Sequence, residues 1–268
     1  MKKLLLQLFS LLVLCAAIWF ALSRIDFIDL FKINDKSRQL EEKLGDFYLD
    51  MITETNQEIV DEDAIRFVTE IKNRICASNK IDSTRLKVHL VMTEDVNAFA
   101  LPDHHLVINS GLIYFCKNAE ELAGVMSHEI AHIEKNHIMQ KLAKEVGFTA
   151  LSLMLTSGTG PEGGGAEGIR VLSSYAYDRQ MEEQADETGV KYLQKSKINP
   201  APLADFMYRL SVEESDIQKK LTILSTHPNT SGRAEKILSL ITGEPTDYTP
   251  ICTNNDWAEF REQVGASY

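Results

Sequence analysis

Two histidines four residues apart, His128 and His132, are the side chains of this sequence best spaced for metal chemistry. In a helix they lie one turn apart on the same face, so their ring nitrogens can reach a common ion. Glu129 is rotated by about 100° from His128, which lets its carboxylate reach a water on that ion without binding the ion itself. The spacing is typical of metal-assisted hydrolysis of an amide bond.

This pattern needs a third protein ligand, because catalytic zinc keeps three protein ligands and one open position. A chance HExxH match in a chain of this composition has a probability of roughly one to two percent. Metzincins take a third histidine from the same helix, but Ile138 and Lys135 stand where that subclass needs histidine and glycine. On a continuous helix, His137 lies on the face opposite His128 and is predicted to cap or pack rather than bind metal.

A later acidic segment, SYAYDRQMEEQADETGVKYL (174–193), offers the missing ligand. Glu182 and Asp186 are one helical turn apart, so Glu182 can complete the coordination while Asp186 hydrogen-bonds a ligating histidine or contacts substrate. Glu183 points elsewhere and is the second choice of ligand. Taken alone, such an acidic cluster is more often a solvated helix face.

The remaining patterns predict an α+β fold that is mainly helical. A helix over 119–145 carries the histidines, with Asn118 as its N-cap, and a small sheet is expected from strands at 85–92 and 104–112. The glycines of TSGTGPEGGGAEG (156–168) indicate a mobile loop, hypothesised to be a lid over 157–168. Apolar residues also recur at helical intervals in 36–78 (two helices), 169–195, 200–210 and 232–241.

Five segments together resemble the ordered signature of peptidase family M48, the gluzincin metallopeptidases that include the CAAX prenyl protease, the membrane heat-shock protease and periplasmic quality-control proteases. The segments are NAFALP (97–102), INSGL (108–112), EELAGVMSHEIAHIEKNH (120–137), DRQMEEQAD (178–186) and STHPNTSGRAEKI (225–237). They occur in the family's order. The resemblance implies a gluzincin fold with a small β-sheet beside the active-site helix.

The resemblance also implies roles for particular residues. His128, His132 and Glu182 would be the ligands of one zinc ion, and Glu129 would be the general base. Asp186 would act in catalysis or orient a ligating histidine. These assignments give a metal site with one open coordination position.

His227 and Arg233 match a family motif that approaches the active site. The resemblance leaves two kinds of role open for them. They could stabilise an oxyanion or regulate access to the metal, or they could serve the structure alone.

The resemblance extends to substrate binding. HHLVINSG (104–111) matches the family's edge strand, on which an extended peptide could pair by β-augmentation. Relatives usually carry glycines where this chain has Asp103, His104 and His105. The conformation of the turn before this strand is therefore not predicted by the resemblance. The residues expected to bind substrate are Asn97, Ala98, Phe99, Val107 and Asn109.

The first 23 residues are predicted to direct the chain to a membrane, ahead of one metallopeptidase domain over 24–268. Two lysines precede the apolar run 4–22, whose helix of about 28 Å would nearly match the roughly 30 Å hydrocarbon core. An uncleaved anchor with an exported domain is favoured, and a cleaved signal peptide is the alternative. A lipoprotein signal at Cys15 is disfavoured because Leu14 is bulky.

Composition narrows the classes of partner. The formal net charge of -11 in 268 residues argues against nucleic acid binding. The sequence contains no phosphate-binding loop motif, so a nucleotide is not predicted as a ligand. The three cysteines beyond the leader, Cys76, Cys116 and Cys252, allow at most one disulfide and are expected to be buried thiols.

The sequence therefore predicts a zinc endopeptidase of the bacterial cell envelope, anchored in the inner membrane or released to the periplasm. It would act without ATP on unfolded or misassembled proteins. The alternative is a zinc-containing chaperone or assembly factor with little proteolysis. Physiological substrates, cleavage preference and oligomeric state stay open.

Overall fold

The computed structural model describes residues 35–145, 177–212, 221–227, 230–242 and 247–266. The chain divides by its internal packing into Met1–Gln39 and Leu40–Tyr268. The predicted membrane segment and the glycine-rich segment, with the hypothesised lid, lie outside the described residues. Within the described ranges, no helix is long and apolar enough to cross a bilayer.

The described residues form an α+β fold that is mainly helical, as predicted. The strands are β1 (Lys87–Val91), β2 (Ala98–Leu101) and β3 (His105–Asn109). The helices are α1 (Asp35–Thr55), α2 (Glu62–Asn79), α3 (Ser110–Phe115), α4 (Ala119–Glu134), α5 (His137–Glu145), α6 (Arg179–Lys195), α7 (Ala201–Val212), α8 (Ile223–Thr226), α9 (Thr230–Leu240) and α10 (Asn254–Ala266).

The sheet has the strand order β1-β3-β2, with β1 parallel and β2 antiparallel to β3. The prediction that 104–111 forms an edge strand is therefore wrong, because β3 is paired on both sides. The outer side of β1 is covered by the chain at 57–59, where Ile59 N–H donates to Leu90 O at 2.8 Å. The outer side of β2 faces the histidine helix α4.

The two faces of the sheet pack against different helices. On one face, Leu90, Ala98, Ala100, Leu106 and Ile108 join the main core with α2, α4, α6 and α7. On the other face, α1 and α5 cover the sheet through a smaller cluster. Its buried residues include Leu44, Tyr48, Leu101, Val107 and Leu142. Burial of both faces makes the short sheet a rigid support for α4.

The long helix predicted over 119–145 is broken into α4 and α5. Asn136 has a φ of 55°, in the left-handed region that asparagine tolerates better than most side chains. The N–H of Lys135 still donates to Ala131 O at 3.1 Å, but that of Asn136 turns back to Ile133 O at 2.9 Å. The helix axis therefore changes direction before His137, which becomes the first residue of α5.

The cysteines agree with the expectation of buried thiols in part. Cys76, Cys116 and Cys252 are all free; the first two are buried and Cys252 is partly exposed. Cys76 and Cys116 pack in the main core, where burial raises the pKa of both thiols. No disulfide joins the described residues.

Candidate active site

Two packed helices bring the sequence-predicted ligands together. Helix α4 carries the histidines, and α6 begins at its N-cap Asp178, whose side chain accepts from Met181 N–H. Close approach of the helices depends on Gly189, because a Cβ there would lie 3.2 Å from His128 N. The packing sets Glu182 and Asp186 of α6 against the metal-facing side of α4. All of these site side chains are buried.

The donor atoms have separations that fit a tetrahedral ion. Zn–N bonds of about 2.0–2.1 Å place neighbouring ligand atoms about 3.4 Å apart in a tetrahedron. His128 Nε2 and His132 Nε2 are 3.0 Å apart, and His132 Nε2 lies 3.4 Å from Glu182 Oε1. His128 Nε2 lies 3.7 Å from Glu182 Oε2. Two imidazoles and a carboxylate are also the ligand types that zinc takes at catalytic sites.

The charges of the site favour a divalent cation. Three buried carboxylates, Glu129, Glu182 and Asp186, outnumber the two buried cationic side chains near them, Arg233 and Lys141. The site therefore keeps an excess of negative charge that a divalent cation can neutralise. Burial raises the pKa of Glu182, but His227, His132 and Arg233 outweigh it and hold that pKa well below its usual range. The residues therefore fit the metal that the sequence predicts.

Glu129 lies beside the donor cluster with one carboxylate oxygen uncommitted. Its Oε2 accepts the Ala100 N–H of strand β2 at 3.1 Å. Its Oε1 makes no hydrogen bond to the described residues and lies 3.4 Å from His227 Nε2. Burial raises the pKa of Glu129, which moves it toward the range that suits a general base near neutral pH.

His227 lies within the metal site, after the C-terminal end of α8. Its Nδ1 is 3.3 Å from His128 Nε2 and 2.8 Å from Glu182 Oε1. Together with His128, His132 and Glu182 it forms the one group of potential metal ligands found among the described residues. Burial lowers the pKa of His227, but the carboxylates of Glu182 and Glu129 outweigh it and raise the pKa. The site thus offers a fourth donor.

Asp186 lies behind His128, and Arg233 reaches from Asp186 to the donor atoms, with its Nη2 3.3 Å from His128 Nε2. Asp186 Oδ1 is 3.0 Å from His128 Nδ1, so it can accept the proton of that ring while Nε2 faces the metal. Arg233 donates to both oxygens of Asp186 at 2.8 Å and contacts Glu182 Oε2. Burial raises the pKa of Asp186, but Arg233 and His128 lower it to about 2. These contacts hold Asp186 between His128 and Arg233.

Three residues beside His132 were missed as site residues by the sequence analysis. Its ring stacks on Tyr177 at a centroid distance of 4.0 Å, and Lys141 Nζ lies 4.5 Å from the centroid of Tyr177. Burial lowers the pKa of Lys141 to about 8. His137 Nδ1 lies 2.9 Å from His132 Nδ1, and His137 Nε2 lies 3.2 Å from Gln184 Oε1. No spacing signal marks His137 and Lys141, because they follow the break at Asn136 and lie on α5. Tyr177 lies just before α6, and its contact with His132 is not local in sequence.

The runner-up ligand and the substrate-binding candidates lie in different environments. Glu183 pairs with Arg179 and Lys236 on the protein surface, away from the ligand cluster. Asn97, Ala98 and Phe99 lie on or beside β2, next to α4. Val107 and Asn109 lie on the central strand, and Val107 is fully buried under α1 and α5.

A family model for peptidase family M48 matches residues 65–241, about two thirds of the chain. The chain belongs to peptidase family M48. The matched range of this metallopeptidase domain begins in α2 and ends just beyond α9, so it includes the sheet and all four potential metal ligands.

Curated relatives of this M48 domain are proteases of bacteria and mitochondria. The chain is 27% identical over 199 residues to the beta-barrel assembly-enhancing protease of Yersinia pestis, covering 70% of this chain and 41% of that protein. It is 24% identical over 213 residues to the mitochondrial metalloendopeptidase OMA1 of Schizosaccharomyces pombe, covering 77% and 62%. It is 27% identical over 176 residues to the metalloprotease LoiP of Escherichia coli, covering 63% and 68%. The chain spans about two fifths of the length of the first of these relatives.

Proposed function

We propose that this protein is a zinc-dependent endopeptidase that cleaves unfolded or misassembled proteins of the cell envelope without ATP. The observation that carries the proposal is the uncommitted Oε1 of Glu129, held beside the cluster of His128, His132 and Glu182. Membership of the M48 family supports peptidase chemistry, and the name of the beta-barrel assembly-enhancing proteases supports envelope substrates.

A bound zinc ion would lower the pKa of a water and polarise the scissile carbonyl. His128, His132 and Glu182 would hold the ion, and Asp186 would keep the proton of His128 on Nδ1. Glu129 would take the proton of the attacking water on Oε1, while the Ala100 N–H holds Oε2 and fixes the direction of the carboxylate. Glu129 would then pass that proton to the leaving amine.

Strand β2 supports binding of an extended peptide. Asn97, Phe99 and Leu101 face β3 in the antiparallel ladder, where Asn97 O accepts Asn109 N–H at 3.1 Å. Alternation then turns the backbone groups of Ala98 and Ala100 outward, toward Glu129. We propose that an extended substrate pairs with this edge. The β-augmentation predicted for 104–111 would then take place on β2. Val107, on the central strand, would support the sheet instead.

The apolar run at 4–22 supports attachment to the inner membrane with the peptidase domain in the periplasm. Mass spectrometry of the protein extracted from membranes is expected to give the mass of the full-length chain, with the leader retained. A mass short by about the first 23 residues would instead indicate a cleaved signal peptide and release to the periplasm.

The test of the enzyme function is degradation of casein, an unfolded substrate, by the zinc-loaded full chain. Cleavage must depend on the carboxylate of Glu129, and removal of zinc by a chelator must stop it. A readout on gels and by mass spectrometry of the peptides distinguishes endopeptidase cleavage from trimming at chain ends. No casein cleavage above that of the Glu129→Gln variant would contradict the proposal.

A zinc-containing chaperone or assembly factor is the second candidate, and His227 is the observation that favours it. Because His227 Nδ1 lies among the ligand atoms, it can take the coordination position that the water needs. Occupation of that position would hold proteolysis back while the fold still binds unfolded clients.

Replacement of His227 by alanine is expected to raise casein cleavage by up to about tenfold, the effect of about 1.4 kcal/mol, because a competing ligand is removed. Initial rates at saturating zinc measure the effect. The control is His89→Gln, since His89 lies on β1 and contacts Glu58 and His105 rather than the ligand cluster. A rate at least tenfold lower than wild type would show that His227 assists the reaction rather than blocking it.

A further inference from the structure

His132 is backed by a chain of two hydrogen bonds that contains no charged group. Its Nδ1 lies 2.9 Å from His137 Nδ1, and His137 Nε2 lies 3.2 Å from Gln184 Oε1. We propose that Gln184 and His137 are positioning residues that set the tautomer of His132, so that its Nε2 lone pair faces the metal. This inference rests on the proposed zinc site and gives roles to two residues to which the family resemblance assigned no part in metal binding.

The position of each proton follows from the acceptor at the end of the chain. An amide oxygen has no proton to donate, so Gln184 Oε1 requires the proton of His137 on Nε2. A neutral His137 ring then presents a lone pair at Nδ1. That lone pair can accept a hydrogen bond only if His132 carries its own proton on Nδ1. The Nε2 of His132 is left unprotonated, on the side of the donor cluster.

The opposite arrangement would disable the ligand. With a hydrogen-bond donor in place of Gln184 Oε1, His137 would carry its proton on Nδ1 and donate it to His132 Nδ1. His132 would then be protonated on Nε2 and would direct an N–H at the position of the ion. Neutral imidazole binds zinc through an unprotonated nitrogen, so the acceptor at Gln184 selects the state that can bind metal.

Burial protects the chain of hydrogen bonds from competition with water. His132 and His137 are 0% and 1% exposed, so water does not offer either ring an alternative partner. Placement of His137 depends on the break at Asn136: in an unbroken helix, the side chain five residues after His132 would be rotated by about 140° from it.

The two ligating histidines are thus supported in different ways. His128 faces the carboxylate of Asp186, which is paired with Arg233. His132 faces a neutral imidazole and a neutral amide. At its Nδ1, the ring of His132 is therefore oriented by neutral groups rather than by a carboxylate.

The experiment measures zinc affinity and tautomer in the full chain, purified in detergent. Zinc chloride is titrated in competition with a chromophoric chelator for wild type, Gln184→Met and Gln184→Glu. Methionine removes the acceptor, whereas glutamate keeps it. The matched control is Gln194→Met on the same helix, because Gln194 bonds only to Thr242 among the contacts described for its side chain. Proton positions on His137 are read from nitrogen-15 histidine NMR of the zinc-loaded protein.

We expect Gln184→Met to weaken zinc binding by about 10-fold to 100-fold, the usual effect of removing a group that orients a ligand. Gln184→Glu and Gln194→Met should stay within about threefold of wild type. The wild-type spectrum should have the His137 proton on Nε2. A proton on Nδ1, or equal zinc affinity for Gln184→Met and Gln194→Met, would overturn the inference. Failure of the wild-type chain to bind zinc would refute the zinc site itself, and is a different result.

Discussion

Substitution of Glu129 by glutamine is expected to reduce casein cleavage by at least about 100-fold, because the amide cannot take a proton from water. Glutamine has nearly the shape of glutamate, and its amide oxygen can still accept the Ala100 N–H that now bonds to Glu129 Oε2. The loss would therefore reflect proton transfer rather than a displaced side chain. Initial cleavage rates at saturating zinc measure it.

The control for this variant is Glu134→Gln, the same substitution on the same helix at an exposed position. Zinc content should stay at one ion per chain in both variants, because Glu129 is not among the ligands. Retention of zinc with loss of cleavage would identify Glu129 as the general base. Equal cleavage by wild type and Glu129→Gln would contradict the proposed enzyme function and would favour the chaperone or assembly factor.

Substitution of Arg233 by methionine is expected to lower the free energy of unfolding by about 3–5 kcal/mol, the usual effect of removing one partner from a buried ion pair. Arg233 donates to both oxygens of Asp186 and contacts Glu182, and all three side chains are buried. Methionine fills similar volume but leaves Asp186 without its cation and removes the contact to Glu182. Denaturant unfolding of the zinc-loaded protein measures the change.

Lys236→Met is the control for this variant, on the same helix α9. Lys236 pairs with Glu183 and Glu187 at 3.4 and 3.3 Å, and these groups are partly exposed. A surface pair contributes about 0–1 kcal/mol, so a small effect is expected. Equal destabilisation by the two substitutions would contradict the role of Arg233 as the counter-charge of the buried carboxylates.

The chemistry of the site could be predicted from spacing, because both motifs are local to a helix. HExxH puts His128 and His132 on one helix face, and the acidic segment does the same for Glu182 and Asp186. The buried cluster contains both pairs. Contacts between residues that are distant in the sequence were harder to predict. His227 lies 45 residues from Glu182 in the sequence, so spacing within a helix could not place its ring in the donor cluster. Only the family resemblance indicated that it approaches the active site.

The errors in the fold have a common physical cause, which is that tertiary contacts overrode weak local signals. Apolar residues recur at helical intervals throughout 119–145. Asparagine also occurs within helices, so Asn136 alone does not predict a left-handed residue at that position. Strand β2 is four residues long and lacks alternation of apolar and polar residues. Its conformation depends on pairing with β3 and on the bond from Ala100 to Glu129, neither of which is local in sequence.

The donors of the metal site come from three separate helical elements, and this has a consequence for the lifetime of the protein. His128 and His227 are 99 residues apart, so an ion held by both would close a long loop of the chain. Because the unfolded chain does not hold these donors together, the ion would bind only the folded state and would add its binding free energy to the free energy of unfolding. The supply of metal would then decide how long the protein survives in the cell as well as whether it can cleave.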